Sequence, residues 1–184
     1  MLVGHKVTLR TFRRADLEGL YDLAADAREI GPYWPLGAVS EPRWAKRFEE
    51  DGFWGEDVKI FLITDLDGRR LGQIGAYKAS NSYQGWELGY RIYKPADRGK
   101  GYITEAVRMA SAYLFAEQPL GRLQLLISPL NEGSKRVAEK VGFVLEGTMR
   151  QAIFNHGEYQ DLLVYSMVRE EAPKLADLLA PLTT

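Results

Sequence analysis

Val7, Leu9 and Thr11 alternate with Lys6, Thr8 and Arg10. That period of two is the mark of a strand with one buried face. Past Arg13-Arg14-Ala15-Asp16 the spacing changes. Leu17, Leu20, Tyr21 and Ala24 recur at helical steps, with Asp16 as N-cap or first-turn acid. Val58 to Leu66 reads as a strand, Asp67-Gly68 as a turn, and Leu71 to Tyr77 as the returning strand. A second turn at Asn81-Ser82-Tyr83-Gln84-Gly85 leads to a strand from Trp86 to Tyr93, stopped by Pro95. This is an antiparallel meander.

The period then shifts again. Ile103, Ala106, Val107, Ala110 and Leu114 predict a helix over 101–117, and Leu123 to Ile127 a short buried strand. Asn131 to Val141 is a second helix, with Asn131 as N-cap and Gly142 just past its end. Phe143 to Leu145 and Gln151 to Phe154 share one strand region, and Leu162 to Met167 forms another. His156-Gly157 turns between them, and 170–181 reads as an amphipathic C-terminal helix. Residues 28–56 fit neither period. They hold three of the four tryptophans, with Pro32, Pro35 and Pro42 between them. A helix begins near Ser40, with Ser40 as N-cap and Pro42 in its first turn. The remainder is a loop that covers the core, walls a substrate pocket, or does both; Tyr33 and Trp34 are the candidate substrate contacts.

These elements make one mixed α/β domain over residues 1–184, with no repeats or linker. The chain has enough length to bury a core without metal or disulfide support. A formal net charge of −1 gives no case for a nucleic-acid or membrane partner. The chain contains no cysteine, which excludes a thiol nucleophile and Cys-based zinc. No metal is expected. No stretch reaches the ~20 apolar residues of a membrane span, so a cytoplasmic protein, monomer or homodimer, is the default.

Candidate chemistry centres on Ile92 to Ala106. A strand ends there, Pro95 blocks its continuation, and Arg98-Gly99-Lys100-Gly101 opens a helix. Unpaired N–H groups at a helix N-terminus attract phosphate oxygens, and the glycines let a ligand approach closely. Thr104 offers a hydroxyl in the first turn. The loop is neither a Walker loop nor a dinucleotide fingerprint, since position 104 is Thr. Alone, a Gly-x-Gly before a helix is more often a structural helix start, with phosphate binding as the second reading.

The run Glu87-Leu88-Gly89-Tyr90…Pro95…Arg98-Gly99-Lys100-Gly101-Tyr102…Thr104-Glu105-Ala106 resembles motif A of the GNAT (GCN5-related) N-acetyltransferase superfamily. Asn131-Glu132-Gly133-Ser134-Lys135…Glu139-Lys140-Val141-Gly142-Phe143 resembles its motif B. The resemblance spans about 5–168 and is closest to the RimJ/RimL-like branch of ribosomal-protein N-terminal acetyltransferases. It implies a twisted, mostly antiparallel sheet, splayed at its middle strands to admit acetyl-CoA, and direct acetyl transfer to a primary amine. The acceptor would be a protein N-terminal α-amine or a small-molecule amine.

By the same resemblance, Arg98, Gly99, Lys100, Gly101, Tyr102, Ile103 and Thr104 cradle the pyrophosphate. Ile92 and Tyr93 pair with the pantetheine arm through backbone bonds, and Asn131 bonds the cofactor. Backbone N–H groups near Tyr93 are expected to serve the oxyanion. Glu87 is the candidate base; the plainer alternative is a strand Glu paired with a neighbouring cation. Ser134 is the candidate acid; the plainer alternative is a capping hydroxyl. Ala96, Ala138 and Ile153 stand where relatives often carry Gln or Arg, Tyr, and Glu. They keep open a second function, a non-catalytic acyl-CoA sensor or scaffold.

Overall fold

Each strand's alternation decides which of two cores its side chains enter. The computed structural model describes residues 1–26, 30–35, 37, 40–80 and 85–181. Eight strands form one sheet: β1 Leu2–Val3, β2 Val7–Arg10, β3 Val58–Asp65, β4 Arg70–Lys78, β5 Gly85–Ile92, β6 Arg122–Ile127, β7 Val144–Asn155 and β8 Glu158–Val168. Their order is β1-β2-β3-β4-β5-β6-β8-β7. The α-helices described in full are α1 Arg14–Ala25, α2 Glu41–Asp51, α3 Tyr102–Glu117 and α4 Glu132–Val141.

On β5, Trp86, Leu88 and Ile92 enter the larger core, which α3 and α4 cover. α3 sinks six residues into it, among them Val107, Met109, Leu114 and Phe115. Each such large apolar side chain contributes roughly 1.5–3 kcal/mol on burial. Tyr93, of opposite parity, enters the smaller core with Phe12, Leu20, Phe53 and Leu62, packed against Trp44 and Phe48. The aromatic segment therefore does cover a core, through α2.

All strand pairs are antiparallel except β5–β6. A parallel return needs a crossover, and α3 supplies it. That parallel pairing comprises Gly85–Arg122, Trp86–Leu123 and Glu87–Gln124, and then it ends. β5 runs on to Ile92, while β6 follows β8 to Ile127. The sheet splits from Leu88 onward.

The identity of the freed backbone groups follows from register. Ala79 N–H donates to Gly85 C=O and Tyr93 N–H donates to Leu71 C=O. In an antiparallel ladder these groups alternate sides. Odd-numbered β5 residues therefore bond β4, and the main-chain groups of Tyr90 and Ile92 face the gap. Tyr93 does not: its N–H is spent on β4 and its ring is buried.

Several expectations need correcting. A short strand, β1, precedes the first expected one. Ser40 takes the N-cap position of α2 without a side-chain cap bond. α1 is broken at Glu18 and Gly19, where Gly19 takes φ 73°; Arg70 Nη1 donates to the carbonyls of Asp16 and Glu18 at 3.2 and 2.9 Å. No C-terminal α-helix forms within 170–181; single 3-10 turns at Arg169–Glu171 and Leu175–Asp177 replace it. Pro173 interrupts the segment. The Arg169 guanidinium anchors its start to the carbonyls of Phe115, Gln118 and Leu120, and Ala180 N–H donates to Val3 C=O. The turn expected at 81–85 falls largely on Asn81 to Gln84, outside the described residues.

Asp16 fixes the start of α1. Its carboxylate accepts from Arg10 Nη1 and Nη2 at 2.6 and 2.8 Å and from Arg13 N–H at 2.7 Å. Burial alone would raise this carboxyl, but the Arg10 and Arg13 bonds hold it below the ordinary range. Removing one partner of a buried pair strands the other. Asp16→Ala is expected to lose about 3 kcal/mol in urea denaturation at pH 7. A depressed carboxyl contributes stability above its unfolded pKa and loses it as pH falls through the folded one. The gap between wild type and variant should therefore narrow in acid.

Candidate active site

The split between β5 and β6 opens into a cavity of roughly 680 Å³. Ile92, Arg98, Gly99, Gly101, Tyr102, Ile103 and Thr104 line one side, Asn131, Gly133, Ser134, Arg136, Val137 and Lys140 another, and Ile30 to Trp34 a third.

The loop at its end is shaped by glycine. Gly99 and Gly101 take φ 76° and 84°, and nothing lies within 4 Å of where a Gly99 Cβ would stand. Gly101 caps α3. The N–H groups of Tyr102, Ile103 and Thr104, in the first turn, lack intrahelical acceptors. The Glu105 carboxylate accepts from His5, Lys6 and Val7 N–H at 2.9, 2.8 and 2.8 Å, tying this turn to the β1–β2 connection. Lys6 Nζ reaches Lys100 C=O at 3.3 Å. A widened strand gap, an open glycine cradle and a positive helix end fit a phosphate-bearing, extended ligand such as coenzyme A.

Cations divide into two groups. Arg91, Arg98, Arg136 and Lys140 border the cavity. Lys100 does not: its Nζ lies 3.3 Å from Asp97 Oδ1. The Asp97 carboxylate also accepts from Arg69 Nη1 and Nη2 at 2.8 and 3.1 Å. Arg69 first, then Lys100, hold its carboxyl below the usual range. Lys100 thus helps pin the loop from behind.

Ser134 faces the cavity from α4, and its Oγ lies 2.6 Å from the Tyr90 hydroxyl across the split. Burial, eased by the Ser134 bond, pushes Tyr90 up to about 12. Its hydroxyl stays protonated at neutral pH. The Asn131 side-chain oxygen accepts from Ser134 N–H at 3.0 Å, so Asn131 caps α4 and leaves its amide nitrogen for a ligand. Ala138 is fully buried.

Glu87 sits at the last β5–β6 pair, where Gln124 Nε2 donates to its Oε2 at 3.3 Å. Its partner is an amide, not a cation, and burial raises its pKa against that bond. Glu87 is not part of the cavity wall. Trp34 lies over Gly89 on the same strand face, 3.8 Å from where a Gly89 Cβ would stand. Tyr33 donates to Leu130 C=O at 3.0 Å, so its loop bridges to the β6–α4 connection. Among the described residues no group of three or more His, Asp or Glu is placed to hold a metal, and no helix is long and apolar enough to cross a membrane.

Known proteins share this fold. A family model described as an acetyltransferase (GNAT) domain matches residues 6–144. The chain belongs to the GNAT acetyltransferase family. YdaF of Bacillus subtilis (strain 168), which carries a provisional name as a ribosomal N-acetyltransferase, is 35% identical over 180 residues, 92% of this chain and 94% of its own. A solved spermidine N-acetyltransferase from Vibrio cholerae, in complex with CoA and spermine, superposes with TM-score 0.79 at 22% identity, over 90% of this chain and 97% of that one. Mycobacterium smegmatis RimJ with CoA-disulfide gives 0.78 at 24% identity, over 91% and 84%. The GNAT protein is an enzyme that moves an acetyl group onto an amine, and the non-catalytic reading is not favoured.

Sequence reasoning missed Tyr90, Arg91, Arg136 and Lys140. Strand parity pairs Tyr90 with Ile92, and helical spacing relates Arg136 to Lys140. Those signals were present but had no partner in view. Asp97→Asn should release Lys100 and loosen the loop. Titration calorimetry is expected to show several-fold weaker acetyl-CoA binding with an unchanged far-UV circular dichroism spectrum.

Proposed function

We propose that the chain transfers the acetyl group of acetyl-CoA directly to a primary amine, with Ser134 and Tyr90 as the proton-holding pair and Glu87 as the base. The observation carrying this reading is the Tyr90–Ser134 hydroxyl pair across a strand gap that ends in the Gly99–Gly101 loop. Acetyl-CoA supplies the activated thioester. Arg98 and the N–H groups of the first α3 turn bind phosphate. Main-chain groups of Tyr90 and Ile92 orient the extended arm along β5 and offer the oxyanion a donor, a role the engaged Tyr93 N–H cannot fill.

The acceptor nitrogen must shed a proton before it attacks, because an ammonium has no lone pair. Glu87 takes it through water, since it does not itself line the cavity. The new C–N bond forms as the C–S bond breaks. Ser134 Oγ then passes its proton to the departing sulfur and is reprotonated by the second proton that the newly acylated nitrogen sheds, while Tyr90 OH donates to Ser134 and holds its rotamer. A protein N-terminal α-amine, in keeping with YdaF's name, or a small-molecule amine would serve as acceptor.

Following thiol release against an amine panel tests this. Ser134→Ala is expected to lower kcat by roughly 10²-fold, the lower end for a positioned proton donor, with acetyl-CoA affinity kept. Normal turnover in this variant would remove Ser134 from the chemistry. Glu87 predicts the acidic limb of kcat/KM at a pH above the ordinary Glu value of about 4.3, and Glu87→Gln should abolish that limb. The sign for stability is the reverse of Asp16: a raised carboxyl favours the fold only at low pH and loses that contribution as pH rises through its folded pKa. Glu87→Gln should therefore melt no lower than wild type at pH 8. A limb that survives in the variant rules Glu87 out as base.

A further inference from the structure

Arg91 has no part in the chemistry above, yet its surroundings are unusual for a surface cation. It follows Tyr90 on β5, and its side chain leaves the face shared with Glu87 and Gly89, away from α3. It is half-buried and borders the cavity. Its guanidinium carbon lies 5.6 Å from the centre of the Trp34 ring and 5.2 Å from that of Tyr93. Both rings hold the fork in place while offering no negative charge to neutralise it.

Hydrogen bonding is equally sparse. Nη2 donates to Leu23 C=O at 3.4 Å. Nε is buried with no partner among the described residues. Among the described residues no carboxylate pairs with this group, and burial lowers its pKa. By contrast Arg10, Arg69 and Arg122 each grip a carboxylate. A half-buried guanidinium with several of its five donors unused is an incomplete site. The complement to its planar fork is a carboxylate, bound through two parallel bonds.

We propose that Arg91 binds a carboxylate on the acceptor, and that this enzyme acetylates amines that also carry a carboxylate, such as amino acids and short peptides, in preference to polyamines. This rests on the acetyltransferase reading above and deepens it. Arg91 lies on the Trp34 side of β5, while the main-chain groups assigned to the coenzyme arm lie along the gap edge and the phosphate donors lie at the α3 end. Arg91 and Glu87 are four residues apart on one strand face, roughly 13 Å between Cα atoms. Trp34 over Gly89 stands beside that span. An acceptor lying past Trp34 presents its amine toward Glu87 and its carboxylate toward Arg91. A polyamine, cationic along its length, meets Arg91 with repulsion and leaves its donors unpaired.

The test uses matched pairs: glycylglycine against glycylglycinamide, 4-aminobutyrate against 4-aminobutyramide, and spermidine as the polycation. Thiol release gives kcat/KM for wild type, Arg91→Met and Arg91→Lys. Amidation also alters amine basicity, so the acid-to-amide ratio is compared between proteins. Wild type is expected to favour acids, with the ratio falling at least about tenfold in Arg91→Met, the scale of one charge-assisted bond, and partly restored in Arg91→Lys. Circular dichroism and acetyl-CoA calorimetry confirm that each variant is folded and loaded. Equal ratios in wild type and Arg91→Met, or spermidine as the best acceptor, overturn the proposal while the acetyltransferase reading stands. A raised acetyl-CoA Kd with an unchanged ratio overturns it by moving Arg91 to the cofactor. Acetyl-CoA bound with no amine turned over overturns both readings.

Discussion

A parallel strand pair that stops after Glu87–Gln124 leaves polar backbone on both strands without partners. Such groups are costly to bury unless something completes them. β6 meets part of that need by pairing with β8 along its whole length. β5 is satisfied by β4 on its odd residues, and on its even residues it faces the gap. Everything that gives the site its character follows from this. The gap is where an extended ligand adds to the sheet, α3 is the crossover that the parallel pairing demands, and the helix end and its glycines are therefore delivered to the mouth of the gap.

The same division by parity sorts the chemistry. Even residues of β5 point into the larger core or across the gap, which is how Tyr90 meets Ser134 on a helix 44 positions away. Odd residues point to the opposite face, shared by Glu87, Gly89 and Arg91, where Gly89 and Arg91 meet Trp34. One strand thus supplies donor-side groups from one set of positions and acceptor-side groups from the other. The break in α1 at Gly19 is held by Arg70, which donates to the Glu18 carbonyl.

Charge is allotted with similar economy. Asp97 with Arg69 and Lys100, and Asp16 with Arg10, are closed networks that fix the phosphate loop and the start of α1. Among the described residues Arg91 and Glu87 have no ionic partner, and both are desolvated. Closed pairs serve the scaffold. The unpaired groups are the ones with capacity left for a substrate.

Strand and helix periods, Pro95, Gly99, Gly101, Asn131 and Gly142 were legible in the chain, because backbone conformation and local burial are encoded within a few residues of each position. They were enough to locate the elements, the phosphate loop and the family resemblance. The C-terminal segment was misread because its helical spacing competes with Pro173 and with the Arg169 anchor to α3, a contact some 50 positions distant. Tyr90, the engagement of Lys100 by Asp97, the exclusion of Glu87 from the cavity wall and the isolation of Arg91 were decided by the tertiary structure alone. Each depends on which strands pair, in what register, and where that pairing stops. Those are relations between distant segments, and local pattern carries no record of them.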